Sequence, residues 1–192
     1  RIVGALQTLV SRESNPVDPV VLTVGSIHGG TAGNVIPDEV RLQLSVRTYS
    51  KETRQRMLEA IRRVAKGEAM ASNAPREPKV DAPATAAPPV YNDPAVTARL
   101  ATALTKQLGD TAVTPMPQKM TSEDFAEYGV AGVPSVLLHI GAVSAAKLED
   151  AKRTGVPVPA PHSPEWAPDL EPTLKAAVRA ETAAILELLS GK

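Results

Sequence analysis

The chain has 192 residues, 43% of them apolar and 22% charged, which allows one or two domains with a real core. Basic and acidic residues balance at 21 each, which argues against a general nucleic-acid binder, and no apolar run approaches the roughly 20 residues that span a membrane. Cysteine is absent and aromatic residues make up 3%. This excludes disulfides, a thiol nucleophile and a thiolate metal site, and leaves little with which to stack bases or sugars.

Residue 1 is Arg1 rather than Met, and Ile2, Leu6, Leu9 and Val10 already share one helical face with no cap before them. The expectation is a native chain that begins upstream, with a trimmed tag or processed precursor as the alternative. No signal-peptide pattern is visible, and the compartment stays open between cytoplasm and periplasm. The helix should stop near Asn15-Pro16, because proline restricts the residue before it. Val20–Val24 is β-branched and reads as a strand. The glycine-rich stretch Gly25-Ser26-Ile27-His28-Gly29-Gly30-Thr31-Ala32-Gly33 follows as a loop. From Val40 to Tyr49 apolar and polar residues alternate, predicting a half-buried antiparallel strand with Val40, Leu42, Leu44 and Val46 on its buried face.

Ser50 predicts a helix N-cap, with Met57, Leu58, Ile61, Val64 and Ala65 as the buried stripe. The charges interleaved with that stripe read as a solvated helix face. Residues 73–92 hold many prolines and alanines and mark a domain boundary, with a weakly indicated strand at Lys79-Val80-Asp81. Asp93-Pro94 starts the next helix and Gly109 ends it. Ser122 is expected to cap a short helix through Tyr128. Val133–Gly141 reads as a buried strand with Pro134 at its start, and residues 142–169 as a long connection. A last helix from about Pro172 to Ser190 should bury Leu174, Val178, Ile185, Leu188 and Leu189.

Few residues carry chemistry. The histidines are His28, His139 and His162. His139 reads as a core or sheet-end residue satisfied by backbone. His28 lies among glycines, which either let backbone N–H groups approach a ligand or serve only a tight connection. The stretch is no phosphate cradle, since it lacks the Gly-Lys-Ser/Thr ending and leads to a strand. His162 stands in Pro161-His162-Ser163-Pro164, where the prolines stiffen the loop. Taken alone it reads as a surface residue. One histidine cannot make a metal site, and no HExxH set or Gly-x-Ser-x-Gly elbow is present.

Taken together and in order, the motifs are more specific. The run Gly25–Val40 leads into Ser45-Val46-Arg47-Thr48-Tyr49. Met120-Thr121-Ser122-Glu123-Asp124-Phe125 follows, then His162-Ser163-Pro164 before the final helix. This order resembles the C-terminal half of the dinuclear metal-dependent amidohydrolases related to hippurate hydrolase and the N-acyl-amino-acid amidohydrolases, within the wider aminoacylase and carboxypeptidase family. Thr121 departs from the glycine usual there. The resemblance implies an α/β fold. Residues 1–88 would be an α+β lid or dimerisation domain, with a four-stranded antiparallel sheet and two helices. Residues 89–192 would be the C-terminal segment of a catalytic domain whose upstream half is missing.

The resemblance also implies hydrolysis of the amide of an N-acyl amino acid or small peptide-like substrate. Two divalent metals, zinc or manganese, would activate the water, and a glutamate lying upstream would act as general base. His162 aligns with the last metal ligand. Arg47 is a candidate for a substrate carboxylate, with a surface or dimer contact as its alternative. Asn34 is a candidate for hydrogen-bonding substrate, with a turn role as its alternative. His28, Gly29 and Gly30 stand beside it, and Glu123 and Asp124 are expected to support the site structurally. A homodimer through the lid is implied, with no nucleic-acid or membrane partner. The chain alone is expected to be inactive and to expose an apolar patch. A rival reading is a non-catalytic dimerisation or ligand-binding module, and a third is a family member that has lost activity.

Overall fold

The alternation expected over Val40–Tyr49 is realised as a strand over Arg41–Thr48, with Val40 outside it and exposed rather than on the buried face. In the computed structural model, which describes residues 1–83 and 86–190, β1 (Val20–His28) and β2 (Arg41–Thr48) form a two-stranded antiparallel sheet. Burial alternates along the whole of β2, as the sequence predicts. The described residues contain these two strands where four were expected. The fold class is nonetheless the expected mixture of helices with a small antiparallel sheet. Among the described residues no helix is long and apolar enough to cross a membrane.

Two compact units divide the chain. The first comprises Arg1–Val90 with Gln118–Glu127, and the second Tyr91–Pro117 with Tyr128–Lys192. In the first unit, α1 (Ile2–Thr8) runs into a wider π-helical turn, Leu9–Glu13. Helix α2 spans Lys51–Ala71. Ser50 caps α2 by accepting from the Thr53 amide at 3.0 Å, as its position predicts. Leu6, Leu9, Leu22, Met57 and Ile61 form the core, with Val24, Leu44, Val46, Val64 and Val80 packed against it. Leu6 and Leu9 are almost wholly buried, each worth about 1.5–3 kcal/mol of transfer free energy. Thr53 is also buried, and its hydroxyl is satisfied by donating to Asp18 at 2.6 Å.

β1 extends four residues beyond the expected strand, into the glycine-rich stretch. The register slips between Val24 and Ser26, so Gly25 is a bulge residue. The bulge re-phases the strand. Ser26 then shares a face with Gln43, to which it hydrogen-bonds at 2.7 Å, while Ile27 pairs with Leu42 on the apolar side. Lys79–Asp81 forms no strand, and only Val80 of that segment joins the core.

In the second unit, α3 (Pro94–Leu108) and α6 (Leu170–Ser190) pack antiparallel. Arg99 pairs with Glu187, and Arg179 donates to the Gln107 carbonyl at 2.8 Å. Asp93 caps α3, accepting from the Val96 amide at 2.9 Å with Pro94 in the first turn, and Gly109 at φ 103° closes it. Between these helices in the sequence lie α4 (Ala126–Val130), whose first two residues belong to the first unit, and α5 (Ala145–Thr154). The expected cap at Ser122 is not made, and α4 begins four residues later, after turns at Glu123 and Asp124.

Three expectations fail here for identifiable reasons. Val133–Gly141 joins no sheet, because among the described residues the sheet consists of β1 and β2 of the first unit. Instead the Asn92 carboxamide accepts from the Leu137 amide at 2.9 Å and donates to the Leu137 carbonyl at 3.1 Å. The Asp93 amide also donates to the Ser135 carbonyl at 2.9 Å, so residues 92–93 take the place of a neighbouring strand. His139, on this segment, is exposed rather than in a core. The connection 142–169 contains α5, capped by Ser144 and closed by Gly155 in the left-handed region.

The third failure concerns α6. Its buried residues are Ala180, Ala183 and Ala184, whereas Leu174, Val178, Ile185, Leu188 and Leu189 are 45–66% exposed. With about 100° between residues, the helix has two apolar faces roughly 140° apart. The small alanine face is the one set against Leu104 of α3.

Candidate functional site

The functional residues expected from the sequence fall into two groups, each inside one unit. In the first unit, His28 is the last residue of β1, opposite Arg41, and Arg47 pairs with Val21. Six strand residues lie between Val21 and His28, so this unit holds His28 and Arg47 roughly 20 Å apart along the sheet. They do not converge within it. His28, Gly29, Gly30 and Asn34 do gather at the far end of the hairpin, all exposed.

Local geometry gives Gly29, Gly30 and Asn34 a backbone reason to be what they are. A Cβ on Gly29 would stand 2.8 Å from Val40 Cγ2 and 3.1 Å from the Glu39 carbonyl. Glycine therefore lets the chain cross itself closely there, where a larger residue would push on Val40 and the Glu39 carbonyl. Gly30 has φ 81°. Asn34 sits in the turn closed by the Val35 amide on the Ala32 carbonyl at 3.3 Å. Arg47 is engaged from an unforeseen direction: its guanidinium donates to the Met120 carbonyl at 2.5 Å. This ties β2 to the Met120–Phe125 motif, which the contact pattern places in the same unit.

In the second unit, His162 is exposed and has φ 74°, in the left-handed region. The reason is a turn. The Ser163 amide donates to the Ala160 carbonyl at 3.0 Å, with Pro161 as the first central residue and His162 as the second. That is the pattern of a type II turn, whose second central position normally belongs to glycine or asparagine. A further turn follows at once, with Trp166 N donating to Ser163 O at 3.1 Å and Pro164 in the first central position. The two prolines therefore fix φ on either side of the imidazole. Histidine is among the few residues that tolerate the left-handed region. The side chain is held outward on a braced backbone.

The loop carrying His162 is joined at its base by a residue that pattern reading missed. Asp169 accepts from the Ser144 amide at 2.7 Å and from the Lys147 ammonium, and its own amide donates to Ala142 at 2.8 Å. The Lys147 hydrogen bond, then that from the Ser144 amide, hold the Asp169 carboxyl below its ordinary pKa. Within the loop a cavity of about 550 Å³ is lined by Val143, Lys147, Val156, Val158, Glu165 and Trp166, among others. The missed signals were Ser144 as an N-cap and Gly155 as a C-terminal stop.

The described residues do not assemble a metal site. Among them no group of three or more His, Asp or Glu side chains is placed to hold an ion. His162 offers one imidazole, and a catalytic zinc centre takes about three protein ligands.

Residues 1–72 match the family model of a peptidase dimerisation domain, M20_dimer. The chain is 34% identical over 149 residues to an N-acetyldiaminopimelate deacetylase of Leuconostoc citreum, an alignment covering 78% of this chain and 38% of that protein. It is 35% identical over 128 residues to the N-acetyl-L-cysteine deacetylase of Bacillus subtilis, covering 67% and 30%. Among solved structures, the Bacillus subtilis protein YXEP, described as a dinuclear metal-binding peptidase of the M20 family, superposes with a TM-score of 0.64. The identity is 25%, covering 97% of this chain and 46% of that one. The chain thus spans less than two fifths of the length of these two curated relatives.

Proposed function

Because the chain is a relative of the M20 deacetylases and peptidases and carries their dimerisation domain, we propose that the whole protein is a metal-dependent amidohydrolase that removes the acyl group from N-acyl amino acids. Residues 1–88 serve as its lid and dimerisation domain, and residues 89–192 as the end of its catalytic domain. The observation that carries this reading is the alignment with two enzymes that deacetylate N-acetyl amino acids. It runs past the dimerisation domain and so takes in far more than a docking module. The exposed aliphatic stripe on α6 also supports it. A contiguous stripe of large apolar residues on a helix marks a surface that something covers, as expected if these residues work within a larger body.

His162 is the residue of this chain that would ligate metal, with its imidazole neutral. The remaining ligands and the general-base glutamate would come from outside these residues. Bound divalent metal, zinc or manganese, would supply an activated water and polarise the scissile carbonyl. The residues present contribute presentation instead. The paired proline turns hold the imidazole outward, and Arg47, Asn34, His28, Gly29 and Gly30 stand on the hairpin as candidates to meet substrate. A second copy would pair through the first unit.

The test is to purify the full-length protein and assay hydrolysis of a panel of N-acetyl amino acids together with metal content. The expected result is hydrolysis with close to two divalent metals per chain, abolished by His162→Ala, while residues 1–192 alone are inactive. Robust hydrolysis by residues 1–192 alone would sink the proposed division of ligands. A full-length protein that dimerises but holds no metal and cleaves nothing would favour the dimerisation-module reading.

A further inference from the structure

Asp169 immediately precedes α6, where an aspartate ordinarily turns its carboxylate onto the amides of its own first turn. Here it does not. Its backbone carbonyl accepts from Thr173 at 3.1 Å, which fastens the residue to α6. The side chain reaches instead across the base of the preceding loop. One carboxylate oxygen takes the Ser144 amide and the other the Lys147 ammonium, and the side chain is 19% exposed. The Asp169 amide closes the same gap by donating to Ala142. Ser144 is itself the N-cap of α5, so one carboxylate joins the starts of two helices. A negative charge at the start of α5 is also favoured by the helix dipole.

The support continues from there to His162. Lys147, Asp150 and Ala151 of α5 line the loop's cavity together with Pro159, Glu165 and Trp166 of the returning arm. The turn that presents His162 lies between Pro159 and Glu165 on that arm. We propose that Asp169 is the positioning residue of segment 143–168, joining its base to α6 and thereby fixing where the His162 imidazole is presented. Its functional meaning rests on His162 being a metal ligand; its structural content does not.

Hydrogen exchange of the 192-residue chain tests the structural part. Asp169→Ala should speed exchange at least about tenfold at Ser144–Lys147 and at residues 160–166, with α3, the second half of α6 and the first unit unchanged. Asp169→Asn keeps an oxygen for the Ser144 amide and should restore most of the protection. Lys147→Met should fall between the two. Unchanged exchange at 144–166, or acceleration spread evenly over the second unit, would overturn the proposal, the latter by showing a general stability role.

In the full-length protein, kcat/KM for N-acetyl-L-alanine should fall about 10–100-fold in Asp169→Ala and recover in Asp169→Asn. Loss of hydrolysis in His162→Ala with none in Asp169→Ala also overturns the positioning role. Full hydrolysis in His162→Ala refutes the ligand reading instead, and the exchange measurement then decides the structural proposal by itself.

Discussion

Replacing His162 by glycine and, separately, by alanine isolates the backbone that carries the imidazole from the imidazole itself. Both changes delete the side-chain ring, which is exposed, so lost packing is nearly the same in each. They differ at the Cβ. At φ 74° an L-residue pays about 1–2 kcal/mol relative to the right-handed region, and glycine pays nothing. Glycine's greater freedom in the unfolded chain returns roughly 0.5–1 kcal/mol of that difference. The glycine variant should therefore be the more stable by about 0.5–1 kcal/mol. With a urea m-value of about 2 kcal/mol/M, this moves the midpoint by roughly 0.25–0.5 M. Trp166 is the chain's one tryptophan and lies in the next turn, so its fluorescence follows this loop directly. If the alanine variant proves as stable as the glycine variant, the left-handed turn is not what holds His162.

Three other outcomes follow from the geometry. The Asp169 pKa is depressed in the folded chain, so its contribution is complete above the ordinary aspartate value and is lost as the pH falls through the lowered one. Trp166 fluorescence should therefore stay constant down to about pH 4 and change below it. A change confined to pH 5–7 would contradict that assignment. Gly29→Ala should cost about 1–3 kcal/mol, because the new Cβ meets Val40 and the Glu39 carbonyl at 2.8 and 3.1 Å; circular dichroism on urea titration reads it, and an unchanged midpoint refutes the close crossing. Arg47→Ala should free the segment around Met120 and speed its cleavage by a dilute protease, while Arg47→Lys should restore only part of the protection, since its shorter side chain ends in a flexible ammonium in place of the planar guanidinium.

What the sequence disclosed depended on how local each cause was. The cap at Ser50, the Asp93-Pro94 start and the β2 alternation are written in adjacent residues, and all three are present. The order of the Gly25–Val40, Met120–Phe125 and His162 motifs pointed to the amidohydrolases, and the dimerisation-domain match and deacetylase relatives agree. The bulge at Gly25 was hidden, because glycine there serves a register slip that depends on the partner strand. So was the bond from Arg47 to Met120, which joins residues far apart in sequence. Helix α5 was missed for a different reason. It buries no residue, so it has no apolar stripe for periodicity to find, and only its two ends carry signals. Asp169 was missed because its partners are a backbone amide and a lysine on another segment.

Helix α6 shows why the wrong face was expected to be buried. Pattern reading ranks a stripe of leucine, isoleucine and valine above a stripe of alanine, since the former gains more on leaving water. The unit uses the alanine stripe because α3 is the helix available to pack against it, and small side chains let two helices approach closely. Arg99 with Glu187 and Arg179 with Gln107 then fix that choice at both ends. The two faces predict opposite responses. Ala183→Leu should overpack the α3 contact and cost about 1–3 kcal/mol. Ile185→Glu, two residues away on the uncovered stripe, should leave the 192-residue chain within about 0.5 kcal/mol of the parent and reduce its association at high concentration. In the full-length protein the same Ile185→Glu change should be strongly destabilising, because a charge would then be buried without a partner. Equal stability of Ile185→Glu in both contexts, measured by urea titration, would mean that the stripe stays uncovered in the whole protein as well.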